Sequence, residues 1–414
     1  MPKEITRCRI CENEDLAPVL SLGDQCLTGV FPRSREEYIT RGPLELVKCH
    51  GPNCCGLLQL RHSYESNELY GANYGYRSGL NQSMVSHLKA KVANALRQVS
   101  LQKDDIVLDI GSNDGTMLSY YPEGHALVGM DPTAAKFREF YKPGTQVVTD
   151  FFSAVEFRRL FGNRKAKIIT SIAMLYDLES PIAFVEQVAS ILADDGIWHF
   201  EQSYMPSMLK VNAYDTICHE HLEYYGLKQI KWMLDRCGLK IIDVQINDVN
   251  GGSFAVTAAQ SSSSHADNME SVARVLEEET SAGLDGLRPY EEFRTRVFEH
   301  REKLPAKLDA LSKEGLKVFG YGASTKGNVI LQFCGITTAQ IPYIAEVNPD
   351  KFGAFTPGTK IPIIPETEAH AMKPDCLLVM PWHFRKNLLQ REKAFLDGGG
   401  KMLFPLPEIE LVAG

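Results

Sequence analysis

Five of the chain's ten cysteines, Cys8, Cys11, Cys49, Cys54 and Cys55, fall within its first 55 residues. The segment around them, to about residue 70, holds short β-like runs such as 56–60 between Gly, Pro and Asn turns, and it is too small for a generous apolar core. Such a segment needs a cross-link. Disulfides are rare in a reducing compartment, so clustered thiols point first to a metal. Cys8-x-x-Cys11 has familiar zinc spacing, and Cys49 with Cys55 supplies the other half of a tetrahedral site; Cys54 is the alternative to Cys55, which directly precedes Gly56-Leu57. His50 and Cys26 are weaker ligand candidates. A catalytic zinc keeps an open position and usually takes His or carboxylate ligands, so four thiolates imply a structural Zn²⁺. The competing reading is a set of buried thiols without metal.

A length of 414 residues suggests two or three globular units. From residue 105 apolar strands (106–110, 126–130, 168–171, 196–200) alternate with amphipathic helices, the pattern of a mostly parallel sheet covered by helices. Two further β-like runs lie within 240–259, and the serine-rich stretch 260–264 reads as a boundary loop. A charged, helix-prone stretch, 268–313, follows, with Pro289 and Pro305 expected to break it into pieces. A second alternation has strands near 317–320, 342–345, 376–380 and 402–404. The expected architecture is α/β, with units at 1–72, 73–260 and 261–414. A net charge of -8 disfavours broad attraction to nucleic acid or anionic lipid. No leader-like run stands at the start and no apolar stretch approaches the roughly 20 residues that span a bilayer, so the cytoplasm is the expected compartment.

Residues 106–116 read as a buried strand, a turn containing Gly111, Ser112, Asn113 and Gly115, and then a helix. Asp131 follows Asp109 by 22 residues at the end of the next apolar strand, where a carboxylate can accept from two ribose hydroxyls. The G-x-G-x-x-G spacing of a dinucleotide loop is absent. The Asp109-x-Gly111-x-x-x-Gly115 form instead resembles motif I of class I S-adenosylmethionine-dependent methyltransferases, and Asp150-Phe151-Phe152 resembles the stretch that frames adenine in them.

After the fifth strand of this unit, residues 214–225 concentrate acid-base groups around His219-Glu220-His221. Histidine titrates near neutrality and can take a proton and be reset. The H-E-x-x-H spacing of a helical metal site is absent. In the third unit, residues 317–327 again run from strand to glycine turn (Gly320, Gly322) to helix, where amide groups, the helix dipole and Lys326 favour an anion.

The cysteine module, the Asp109-x-Gly111 loop, His219-Glu220-His221, Gly251-Gly252-Ser253, the 320–327 turn and Pro357-Gly358-Thr359 together resemble the three-domain, zinc-containing sugar C-methyltransferases that act on nucleotide-linked 4-keto-deoxysugars. The resemblance spans nearly the whole chain. It implies a zinc-binding module, a class I methyltransferase Rossmann-like domain and a second Rossmann-like domain, with S-adenosylmethionine as methyl donor. It implies that His221 removes the proton alpha to the 4-keto group, at carbon 3, with Glu220 and His219 in support. An enolate needs a donor at its oxygen, and Tyr76 is the preferred one. Tyr74, Tyr76, Arg77, Tyr176, Cys218 and Tyr224 would face the sugar, and Gly322, Ser324, Lys326 and Thr359 the nucleotide diphosphate. Cys218 stands where many members have Tyr, and Tyr176 near where others have His. A monomer or weak dimer without nucleic-acid or membrane partners is expected. The alternatives are a nicotinamide-dependent oxidoreductase, with Glu346 on a ribose, and a noncatalytic zinc-ribbon interaction protein.

Overall fold

The computed structural model describes residues 2–69 and 76–414. The first unit carries β1 (Lys3–Glu4), β2 (Leu16–Cys26), β3 (Arg41–Cys49), β4 (Leu58–Leu60) and β5 (His62–Ser63). β2, β3 and β4 pair antiparallel in that order, while β1 pairs β5. Register shifts between Pro18 and Leu20 and between Ser21 and Asp24 interrupt the two-residue alternation of β2, which hides this strand from pattern reading.

The second unit is a sheet of β6 (Ile106–Ile110), β7 (Ala126–Met130), β8 (Gln146–Val148), β9 (Ala166–Ile172) and β10 (Leu192–Ser203). The chain then makes a two-residue strand, β11 (Glu223–Tyr224), before β12 (Leu239–Asn247) and β13 (Ser253–Gln260) complete the sheet in the order β12-β13-β10-β9-β6-β7-β8. β13 runs antiparallel to both its neighbours; the other pairings are parallel. Every residue of β6 is buried, as a central strand covered on both faces requires. Strand order reverses between β6 and β9, the place where open α/β sheets bind ligands at the carboxyl ends of their strands.

β11 does not join that sheet. It pairs antiparallel with β4 and becomes the fourth strand of the first unit's sheet, so the segment just after His221 is fixed by the amino-terminal module. The third unit is a sheet of β14 (Val318–Tyr321), β15 (Ile344–Glu346), β16 (Ile363–Pro365), β17 (Cys376–Val379), β18 (Lys401–Phe404) and β19 (Glu410–Ala413), ordered β16-β15-β14-β17-β18-β19 and parallel except at β19.

Two expectations change. The helix Met269–Ser281 packs on β12 and on the helix Leu227–Arg236, and its Val272 and Val275 share a core with the second sheet, so by packing the second unit runs past residue 260 to Ser281. Pro305 does not break its helix: Arg288–Lys313 is continuous, with Pro289 in its first turn. Tyr290, Phe293, Val297, Leu304, Leu308 and Leu311 form one buried stripe on both sides of Pro305, and that packing outweighs a proline cost of about 3 kcal/mol.

The units share cores. Leu44, Leu46 and Leu58 of the first sheet pack with Tyr290, Phe293 and Phe319, whereas Cys8, Cys49 and Cys55 pack with the second sheet. The small module is therefore wedged against both larger ones. No helix among the described residues is long and apolar enough to cross a membrane.

Candidate active site

The sulfurs of Cys8, Cys11, Cys49 and Cys55 all lie within 4.8 Å of one another, with Cys8 to Cys55 and Cys11 to Cys49 each at 3.4 Å. Zn–S bonds of about 2.3 Å set tetrahedral sulfur edges near 3.8 Å, so the set fits Zn²⁺. Cys54 stays outside, its Sγ 3.6 Å from the Cys49 carbonyl, and neither His50 nor Cys26 joins the cluster. Leu57 N donates to Cys55 Sγ and Cys49 N to the Leu57 carbonyl, a turn that gives Cys55 the ligand position and denies it to its neighbour. With four sulfurs the site is closed, as structural zinc requires.

At the carboxyl end of β6, Gly111 adopts φ 71°, and a Cβ there would stand 3.2 Å from Met174 Cγ, so only glycine keeps this approach open. Asp131 accepts from Asn113 N at 2.8 Å through one carboxylate oxygen and from Thr133 N and Oγ1 at 2.6 Å through the other. It thereby ties the loop to the end of β7. Ser112 Oγ lies 2.7 Å from Tyr141 OH, which donates to the Asn113 carbonyl, and Gly115 leaves room for the Tyr141 ring. Asp109 is buried, accepts from Thr170 Oγ1 at 2.6 Å and is pushed up to about 7 by burial.

Some expected ligand contacts are engaged within the chain. The Asn113 side chain accepts from Ser78 N at 2.9 Å and donates to the Tyr76 carbonyl at 3.1 Å, and Asp114 accepts from Gly79 N at 2.9 Å. Arg77 lies 3.7 Å from Asp114 with its guanidinium 4.1 Å over the Phe140 ring. The cofactor loop thus holds residues 76–79 as a flap, with Tyr76 47% exposed beside it. Tyr74 lies outside the described residues. Asp150 and Phe151 are exposed, whereas Phe152 is half-buried with its ring 5.2 Å from Phe184.

His221 is set by the turn Tyr214–Thr216: its Nδ1 lies 2.8 Å from the Thr216 carbonyl. A carbonyl only accepts, so Nδ1 carries the proton and the Nε2 lone pair is left available. The Tyr176 ring sits 4.3 Å from the imidazole, and Leu222 N donates to the Tyr176 carbonyl at 2.7 Å. Burial, then the nearby Lys326 ammonium, hold His221 down to about 3, so it stays neutral. Tyr176, Thr216, His221, Glu223 and Tyr224 line one small cavity.

Glu220 and His219 point elsewhere. Glu220 accepts from Thr28 Oγ1 at 3.4 Å and fills the space that Gly29 leaves by lacking a side chain. The imidazole of His221 is oriented by the Thr216 carbonyl and not by Glu220. His219 faces the first unit, with Nε2 3.5 Å from the Gly42 carbonyl and its ring edge-on to Tyr64 at 4.6 Å, and burial holds it down to about 4. Cys218 is buried, and burial followed by Glu220 pushes its thiol up.

In the third unit, Gly322 (φ 82°) closes against Pro381 and Ser324 caps the helix Thr325–Phe333 by accepting from Gly327 N at 3.0 Å. Glu346 accepts from Ala323 N, Val347 N and Asn348 N, repeating at β15 the bracing that Asp131 provides at β7. Lys351 reaches the Ala323 carbonyl at 2.7 Å. Thr359 bonds Thr356 at 2.6 Å, and the adjacent Gly358 faces Gln332, two turns along the helix from Ser324, so the structure does not bring Thr359 to the glycine turn. Lys326, expected on a diphosphate, crosses to the second unit and donates to the Asn250 carbonyl at 2.9 Å. Sequence reasoning named Asp215 only as part of the 214–225 segment and did not single out Lys351, Trp382 or His383. The signal available for the last two was their place after β17, where an α/β sheet gathers ligand contacts.

Residues 248–407 match a family described as "C-methyltransferase C-terminal domain", residues 84–244 a "Methyltransferase domain" and residues 8–70 a "Putative zinc binding domain". The C-methyltransferase NovU of Streptomyces niveus is 30% identical over 416 residues, covering 99% of this chain and 98% of that protein. Solved structures with similarity include a Haloferax volcanii methyltransferase with its Trm112 activator, 13% identical over 44% of this chain and 94% of that chain, TM-score 0.37. The plantazolicin methyltransferase BpumL with SAH is 11% identical over 44% and 87%, TM-score 0.35. With three domain families matched in this order and a relative alike from end to end, the chain belongs to the zinc-containing, three-domain C-methyltransferases that use S-adenosylmethionine.

Proposed function

We propose that the protein methylates carbon 3 of a nucleoside-diphosphate-linked 4-keto-deoxysugar, with His221 as the base that generates the carbon nucleophile. The carrying observation is the 2.8 Å bond from His221 Nδ1 to the Thr216 carbonyl, which leaves Nε2 unprotonated toward the space beside Tyr176. A C–H bond is not nucleophilic, so the neighbouring ketone must first take up the electron pair. The proton passes from carbon to His221 Nε2, and the pair moves into an enolate. S-adenosylmethionine, held at Gly111, Asp131 and the flap of residues 76–79, supplies an electrophilic methyl group. Tyr76 stands on that flap as the donor for the enolate oxygen, and the amide end of the helix Thr325–Phe333, beside Gly322 and Ser324, suits the diphosphate.

The test is incubation in deuterated water with a panel of nucleotide-linked 4-keto-deoxysugars, followed by mass for deuterium at the alpha carbon and for methyl gain. His221→Asn should lose both while still binding S-adenosylmethionine. Exchange at the wild-type rate in that variant would remove His221 from the chemistry.

A further inference from the structure

The helix Thr325–Phe333 of the third unit packs directly on the turn Tyr214–Thr216 of the second, the same turn whose last carbonyl orients His221. Lys326 is the second residue of that helix and is partly buried, facing the space between the units. Its Nζ donates to the Asn250 carbonyl at 2.9 Å. That carbonyl is aimed by a left-handed backbone, with φ 55° at Asn250, 91° at Gly251 and 115° at Gly252. A Cβ on Gly252 would stand 2.5 Å from Ser207 Cβ, so the Gly251-Gly252 pair is a requirement of this aim. Gly251, next to that carbonyl, faces Trp382 and His383; Trp382 Nε1 donates to Asp215 Oδ2 at 2.7 Å while Asp215 Oδ1 is buried without a bond, and His383 Nδ1 is likewise buried without one.

From this placement we infer that Lys326 is a catalytic residue: its ammonium stabilises the enolate oxygen formed when His221 takes the alpha proton, and it does not bind the diphosphate. The inference rests on the methyl-transfer reading above. A cation beside a base is otherwise unfavourable, because it opposes the imidazolium that proton removal creates. Its presence also holds His221 and His383 down, after burial, and it counteracts the upward push of burial on Asp215. The arrangement becomes productive when the negative charge leaving carbon arrives at the cation. A ketone oxygen lies only about 2.4 Å from the alpha carbon, so a base over that carbon and a cation over that oxygen must stand side by side. The balance is complete. The C–H bond breaks, the proton goes to Nε2, and the pair forms the C=C bond with charge on oxygen against Nζ. The pair then returns to make the C–CH₃ bond as the sulfonium's S–CH₃ bond breaks, the ketone re-forms, and the imidazolium releases its proton to water.

Lys326→Met, Lys326→Gln and Lys326→Arg in the full zinc-loaded chain test this, with S-adenosylmethionine affinity and zinc content as folding controls. The Met and Gln variants should lose both deuterium exchange and methyl transfer at saturating substrate by about 10²–10³-fold, the usual loss for one oxyanion donor. Affinity for the bare nucleoside diphosphate should stay within about twofold, well under the tenfold that 1.4 kcal/mol represents, and Arg should retain part of the rate. The acid limb of the pH profile should move up in Met and Gln, because His221 loses the cation that holds it down. Tenfold weaker binding of the nucleoside diphosphate with exchange intact would make Lys326 a phosphate ligand and overturn the inference. Unchanged exchange with unchanged binding would overturn it as well. A wild-type protein inert toward the whole sugar panel would instead sink the methyl-transfer reading, and this inference with it.

Discussion

Glu279 tests whether the helix Met269–Ser281 belongs to the methyltransferase unit. Its Oε1 accepts from Leu227 N at 2.5 Å and Tyr204 OH at 2.9 Å, and its Oε2 from Lys228 N at 3.1 Å, with the residue 6% exposed. Leu227 opens the helix Leu227–Arg236, so both amides belong to the first turn, which has no intrahelical acceptors. Glu279→Ala strands two amides and a hydroxyl in a buried place. Each unsatisfied group costs about 1–3 kcal/mol, and partial access of water should bring the sum to about 3–5 kcal/mol. Glu279→Gln keeps one accepting oxygen and removes a carboxylate whose charge is penalised by burial, so its cost should be about 1–2 kcal/mol. Urea unfolding supplies the free energies, and native-state hydrogen exchange followed by mass locates the loss. Protection should fall in the helix Leu227–Arg236 and in β12. A cost below about 1 kcal/mol for the alanine variant, which is no more than one ordinary hydrogen bond, or a loss confined to β14 through β18, would refute the assignment.

Cys55→Ser should abolish stoichiometric zinc and loosen β3 and β4, whereas Cys54→Ser should keep the metal; atomic emission on both variants decides between the adjacent thiols. Asp131→Ala should weaken S-adenosylmethionine binding about 10–100-fold by calorimetry, because it removes the carboxylate proposed to accept from the ribose and frees the loop amide at Asn113; affinity unchanged within twofold would place the cofactor elsewhere. His199 is buried with its Nε2 unbonded and is held down to about 4 by burial, then by Lys91. The unfolded chain therefore binds its proton first. The contribution of this group to stability is full above about pH 6.5 and declines as pH falls from there toward 4, by roughly 3 kcal/mol in all. His199→Gln should flatten that part of the denaturation profile, and an unchanged slope would argue against a neutral buried imidazole.

What could be read in the sequence was whatever a local pattern enforces. The largely apolar runs at β6 and β14, each short and followed by a glycine turn, read as buried strands. The turn at Gly111 follows from its need for a positive φ, and the cysteine spacing follows from the small radius of a tetrahedral site. The placing of His221 beyond the fifth strand, on the segment after the turn Tyr214–Thr216, was legible in the same way. Its partners were not. Glu220 and His219 flank it in sequence, yet they face Thr28 and Gly42 of the first unit, because β11 is captured by β4 and rotates the segment onto the amino-terminal sheet.

Tertiary structure alone decided the capture of β11, the continuity of the helix through Pro305, the attachment of Met269–Ser281 to the second sheet and the crossing of Lys326 to the Asn250 carbonyl. Each joins groups tens or hundreds of residues apart, and each depends on burial shared between units, an energy no local window contains. The chain's own pattern determined which strands and loops exist. Packing of the three units against one another determined which side chains those loops bring face to face, because hydrophobic area and unsatisfied polar groups are counted only once the surfaces have closed.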